Sequence, residues 1–278
     1  MVEYDSIKFL AFRYTICFLV MSLLLALGFK KVKYKNKPFY MLLICGTLNP
    51  LISQTLETTL STFAPTSQIG VFYCLIPALV VVLSIPINRE MPTKRQVFFM
   101  LVIISGILSI NFVSGQMKGG TTLGLVLIVA EMFAVSVQRI FVRRASKHFT
   151  AFETIYFTAG MGALGYSITT ILSHAARGRL NVFFVGLLTP DFVIPILYMG
   201  IMSAVVAFLL LTYAAGHLPI AVSSSTSMIN SVITVLVGIF VLKEVFRPID
   251  IIGTVITFLG LIGMSLSYNA SVSNRFRQ

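Results

Sequence analysis

The chain has 278 residues, 57% of them hydrophobic and only 11% charged, with a formal net charge of +12. Soluble domains carry roughly a quarter charged residues, so a mean hydropathy of +0.93 excludes an ordinary globular protein. The cations are gathered in short segments between apolar runs, which argues against a nucleic-acid surface and for a topology signal.

Residues 14–29, 38–56, 58–88, 154–176, 192–216 and 251–274 contain no Asp, Glu, Lys or Arg. About 20 apolar residues cross a bilayer as a helix. The spacing therefore predicts an all-α polytopic membrane protein with spans at 9–29, 39–61, 67–88, 97–115, 122–142, 152–173, 192–215, 219–241 and 249–269. The longest connection, 174–191, carries Arg177, Arg179 and an apolar NVFFVGLL segment too short to span. Cys17, Cys45 and Cys74 lie in apolar helices without CxxC spacing and read as small buried hydrophobes. The opening MVEYDSIK is mixed in charge and no small-residue cleavage site follows, so no cleaved leader is expected.

A long-period echo organises these spans. A shift of 154 residues lays 65–112 on 219–266 without a gap, carrying Pro65 onto Pro219, Glu90 onto Glu244 and Gly106 onto Gly260. The same shift takes Gly46 to Gly200 and Thr58 to Thr212, and a shift of 145 aligns 4–16 with 149–161. Such duplication in a hydrophobic chain marks a transporter built from two halves. The halves are 1–117 and 118–270, followed by a tail at 271–278.

Alternate loops carry thirteen Lys and Arg (Lys30 to Lys37, Arg89 to Arg95, Arg143 to Lys147, Arg275 and Arg277), against six on the other side. The positive-inside rule puts the richer set, and with it the C-terminus, in the cytoplasm. The halves then hold 4 + 5 transmembrane helices from a 5 + 5 plan, as two inverted-topology repeats. The first half is expected to lack its first helix, whose place would be before Met1, through a misplaced start codon, a truncated gene or a real loss.

These features resemble the EamA-like drug/metabolite transporter family. The carriers are Pro77 followed by Glu90 and Gly106, KEVFRPIDIIGTVITFLGLIG at 243–263, the basic RRASKHFTAFE at 143–153, and FLAFRYTICFLV at 9–20 with Arg13. Ser231 replaces a frequent second-half proline, and the chain has no tryptophan. The resemblance implies ten helices in two inverted repeats and small-molecule transport; the family includes exporters of amino acids and other metabolites.

Polar side chains at membrane depth usually face the bundle or a wet cavity. Ser223, Ser227, Asn230, Ser231 and Thr234 form one stripe on the 219–241 helix, expected to line a substrate cavity. The 39–61 helix shows Asn49, Ser53 and Glu57 with Gln54 beside them and Pro50 to kink it; Ser203, Thr212 and Tyr213 are the polar members of its counterpart. Glu131 sits near the middle of 122–142, with Gln138 and Arg139 on the same face. It reads either as a coupling group or amine contact, or as half of an ion pair with Arg13 or Arg139. The expected substrate contacts are Asn49, Ser53, Gln54, Glu57, Tyr213, Ser223, Ser227 and Asn230, with Glu131, Arg13 and Arg139 as coupling or charge-pair residues.

No GxxxxGK[ST], HExxH or GxSxG motif occurs, and the scattered histidines fit no metal spacing. The expectation is a secondary transporter, not an enzyme, with no cofactor or metal, exporting a small amino-acid-like or drug-like metabolite through the cytoplasmic membrane by alternating access. Flipping of a lipid-linked intermediate is the alternative within transport, and an intramembrane enzyme the rival from another class. The expected partners are a small-molecule substrate and the lipid bilayer, with no nucleic acid; a homodimer stays open.

Overall fold

The computed structural model describes residues 6–29, 31–63, 66–88, 91–114, 122–176, 190–217, 231–244 and 247–275. Its described elements are helical. They are α1 (Ser6–Ala26), α2 (Tyr40–Gly46) and α3 (Ser53–Leu60), α4 (Thr66–Tyr73), α5 (Ile76–Asn88), α6 (Lys94–Ser114) and α7 (Thr122–Ala145). There follow α8 (Ala151–Ala176), α9 (Pro190–Leu197), α10 (Phe208–His217), α11 (Ser231–Phe240) and α12 (Pro248–Arg275). π-Helical turns join α2 to α3 over Thr47–Ile52, and α9 to α10 over Tyr198–Ala207. Ser6–Ala26, Ile69–Pro86, Ala151–Ala176 and Phe192–Ala214 are long and apolar enough to cross a membrane.

The span expected over 67–88 is two helices. Pro77 has no N–H to bond back into the preceding turn. Beside it the chain tightens, with Cys74 N–H on Val71 O at 3.1 Å and Leu75 N–H on Phe72 O at 2.9 Å, before α5 restarts.

The chain forms two compact units, and each joins two separate stretches of the sequence: Met1–Thr55 with Phe141–His217, and Leu56–Ile140 with Leu218–Gln278. In the first, α1 packs most extensively on α8. Leu10, Ala11, Tyr14, Cys17 and Met21 of α1 are buried, against Phe152, Ile155, Ala159, Ala163 and Tyr166 of α8. In the second, α6 packs most extensively on α12, over a core that includes Val71, Ile76, Ile103, Ile107, Ile128, Val235 and Leu261.

Close backbone approach in both units falls at glycines, and the contacts are reciprocal. A Cβ on Gly106 would meet Gly253 O at 2.7 Å and Thr257 N at 2.8 Å; one on Gly260 would meet Ile103 N at 2.9 Å and Phe99 O at 3.1 Å. Phe99 and Ile103 are the residues that the 154-residue shift carries onto Gly253 and Thr257. In the first unit, Gly46 abuts Met161 and Gly200 abuts Ile16, again equivalent positions. The start of each long helix in the second unit is closed in the same way. Thr93 N–H donates to Gln96 Oε1 at 2.8 Å, and Arg247 N–H, its equivalent, donates to Asp250 Oδ2 at 2.9 Å.

Glu153 ties the 31–38 segment to the beginning of α8. Its carboxylate accepts from Lys33 N–H at 2.7 Å, Thr150 N–H at 2.9 Å and Lys37 Nζ at 2.8 Å, while Thr150 Oγ1 accepts from Glu153 N–H. Sequence Thr150-x-x-Glu153 is thus a capping box with a second duty. Tyr34 Oη donates to Glu153 O at 2.9 Å; burial and the carboxylate push the phenol above its ordinary value, which keeps it a donor. The lysine-rich 31–37 segment and the 146–150 turn therefore share one end of this unit. Glu153→Ala strands two backbone N–H groups and a lysine, and is expected to destabilise the protein by about 1–3 kcal/mol, read as a lower melting temperature in detergent. An unchanged melting temperature would show the clamp to be idle.

Candidate functional site

Among the described residues two places stand out for polar groups buried within apolar helices, one in each unit. The first is built on irregular backbone. Asn49 adopts non-helical angles (φ −142°, ψ 116°), Pro50 follows through a cis peptide bond, and α3 restarts at Ser53. Carbonyls freed at such a break need donors. Tyr166 of α8 supplies one, its hydroxyl lying 2.8 Å from Pro50 O and 3.2 Å from Leu51 O, and Thr55 Oγ1 donates to Leu51 O at 2.6 Å. Gly162 leaves room for this bulge, since a Cβ there would lie 2.6 Å from Pro50 Cγ. The 154-residue shift carries 47–52 onto 201–206, inside the Tyr198–Ala207 π stretch. The two π stretches thus fall at positions that the shift equates, the first broken at Asn49 and the second continuous with its helix.

Arg13 of α1 connects the break in the first stretch with the second π stretch. Its Nη1 donates to Gln54 Oε1 at 2.8 Å, and its Nη2 to Ser203 Oγ at 3.1 Å. The side chain is 8% exposed and its guanidinium carbon lies 5.6 Å from the centre of the Tyr14 ring. The acceptors are neutral, and Arg13 Nε has no hydrogen-bond partner. Ser53 is 1% exposed and its Oγ is equally without one. Among the described residues the ion pair is Lys37 with Glu153, so the Arg13 charge is met by dipoles.

The second place is Glu131 on α7, 1% exposed. Oε1 accepts from the Tyr73 hydroxyl at 2.6 Å, and Oε2 has no hydrogen-bond partner. Glu57 of α3 acts electrostatically on both Tyr73 and Glu131. A carboxylate so placed can gain and lose a proton, or meet a cation, without other protein chemistry.

Of the residues expected from sequence, the structure brings Arg13 together with Gln54, and Glu131 within electrostatic reach of Glu57. Asn49 stands at the break, half-buried, so it does not continue the helical stripe of Ser53 and Glu57. Tyr213 is 58% exposed and stacks on His217 with ring centres 4.0 Å apart. Arg139 is half-buried on α7. Ser223, Ser227 and Asn230 lie outside the described residues. Tyr73 and Tyr166 are absent from the expected set; the signal for Tyr166 is indirect, because Pro50 demands a donor without saying which helix provides it.

Apolar helices of spanning length, with the broken backbone at Asn49 and buried polar side chains within them, fit an integral membrane protein. The chain belongs to the EamA-like transporter family, whose model matches residues 1–112 and 122–266. A Bacillus subtilis (strain 168) protein named "Uncharacterized transporter YcxC" is 22% identical over 264 residues, which cover 95% of this chain and 85% of that one. A solved chain described as "Crystal structure of protein" has the same fold, with a TM-score of 0.62 at 17% identity over 96% of this chain and 90% of that one.

Proposed function

We propose that the protein is a secondary transporter that moves a small metabolite across the cytoplasmic membrane by alternating access of two inverted repeats, with the C-terminus in the cytoplasm. The observation that carries this reading is the pair of π-helical stretches at matched positions, Thr47–Ile52, which is broken at Asn49, and Tyr198–Ala207, which runs on unbroken. Irregular helical backbone near the middle of the two halves is where transporters of this architecture hold substrate. The reciprocal glycine contacts support the repeats, because a two-fold relation makes Gly106 touch the equivalents of what Gly260 touches. The two separate stretches matched by the family model fit the same division. Export is the direction proposed, on the resemblance to exporters of amino acids and other metabolites. Glu131 is assigned as the coupling group, a protonable side chain in a helix with no other acid.

The test is transport in proteoliposomes with and without an imposed pH gradient, against candidate amino acids, nucleosides, sugars and cationic drugs. The expected result is gradient-dependent flux of at least one class above empty vesicles. Protein that binds none of them and moves none would refute the reading.

A further inference from the structure

We infer that Arg13 is the anchor for an anionic group on the transported substrate, a carboxylate or a phosphate. This rests on the transport reading and adds the chemical class of the substrate to it. The argument begins with charge. An arginine stays protonated in any protein environment, and a buried ion without a counter-ion costs several kcal/mol even after relaxation. Arg13 lies about 10 Å along α1 from its first residue, 8% exposed, in a helix whose other described charge is Lys8. Its contacts within the unit are an amide oxygen and a hydroxyl, and no carboxylate among the described residues pairs with it. A structural arginine in a bundle would be expected to have an acid opposite it.

Geometry adds the second step. Gln54 and Ser203 hold the guanidinium by one nitrogen each, which fixes its plane and leaves Nε–H without an acceptor. Nε–H with a neighbouring Nη–H is a fork that matches the two oxygens of a carboxylate or phosphate. The two holding residues flank the irregular backbone, Gln54 one residue into α3 after the break at Asn49 and Ser203 within the second π stretch. Ser53, buried beside Gln54 with its own hydroxyl unpartnered, is a further donor at the same break. A lone structural clasp would explain the two bonds, but not a buried guanidinium edge and a buried hydroxyl both left over where the backbone is already irregular.

The experiment compares cells carrying empty vector, the wild-type protein, Arg13→Lys, Arg13→Gln and Ser203→Asp, by untargeted mass spectrometry of the medium and of an outer-leaflet lipid extract. Compounds whose appearance depends on the wild-type protein should carry an acid group. Soluble acids appear in the medium and a lipid-borne phosphate in the extract, which separates the two sources. Their export should fall by about tenfold or more in Arg13→Gln, the scale of a lost charge-assisted bond, and less in Arg13→Lys. Ser203→Asp places a carboxylate beside Arg13; it should raise the melting temperature of the purified protein and still abolish export, an outcome that a purely structural arginine would not give. Exported compounds without an acid group, or undiminished export of acids by a folded Ser203→Asp protein, overturn the inference while leaving transport intact. No difference between wild type and empty vector removes the transport reading itself.

Discussion

Glu131→Gln is expected to reduce gradient-driven transport to the level of empty vesicles while leaving a folded protein. The substitution keeps the shape of the side chain and an oxygen to receive the Tyr73 hydroxyl, now 2.6 Å from Oε1. It removes the charge and the capacity to exchange a proton, at a site that is 1% exposed and whose second oxygen is without a hydrogen-bond partner. Burial makes the ionised and neutral forms very different in energy. A group of that kind responds to a gradient only if the protein moves it between environments, which is what alternating access supplies. Exchange of labelled for unlabelled substrate without a gradient should therefore persist in the variant. Gradient-driven uptake equal to wild type would take Glu131 out of the mechanism.

Gly106→Ile is expected to be the most destabilising change in the second unit. The added Cβ would meet backbone atoms, Gly253 O at 2.7 Å and Thr257 N at 2.8 Å, and backbone cannot swing aside as a side chain can. Overpacking costs about 1–3 kcal/mol and more where the helices themselves must part. Gly260→Ile should behave alike, since its Cβ would meet Ile103 N at 2.9 Å and Phe99 O at 3.1 Å. The readout is the melting temperature and the monodisperse yield in detergent. Wild-type values for both variants would mean that α6 and α12 do not approach so closely.

Much of this fold can be read from the chain, because hydrocarbon imposes length and sign. The segment expected at 122–142 is helical over Thr122–Ala145, and that expected at 152–173 over Ala151–Ala176. The kink at Pro50 is equally legible, since proline leaves carbonyls unmatched. The π stretch at Tyr198–Ala207 is not, for it contains no proline, and a π turn is decided by what packs beside the helix. Nor does the sequence say that each compact unit joins two separate stretches of the chain. Contiguous residues suggest contiguous units, whereas here α1 finds its main partner in α8 and α6 in α12. The candidate site divides in the same way. Arg13, Gln54 and Glu131 stand out as polar residues in apolar runs, and Ser203 as a polar member of 192–215, but nothing in the chain pairs Ser203 with Arg13 or singles out Tyr73 as the partner of Glu131.

Opposite insertion of the two halves is the claim on which the rest depends, and equivalent residues test it. Thr93 and Arg247 are related by the 154-residue shift, are both exposed, and each opens a long helix. Thr93→Cys and Arg247→Cys, made singly, are to be labelled in intact cells with a membrane-impermeant maleimide, the parent with its three buried cysteines serving as the blank. Labelling of Arg247→Cys from outside, with Thr93→Cys reacting only after the membrane is opened, is the result predicted; labelling of both from the same side would contradict it.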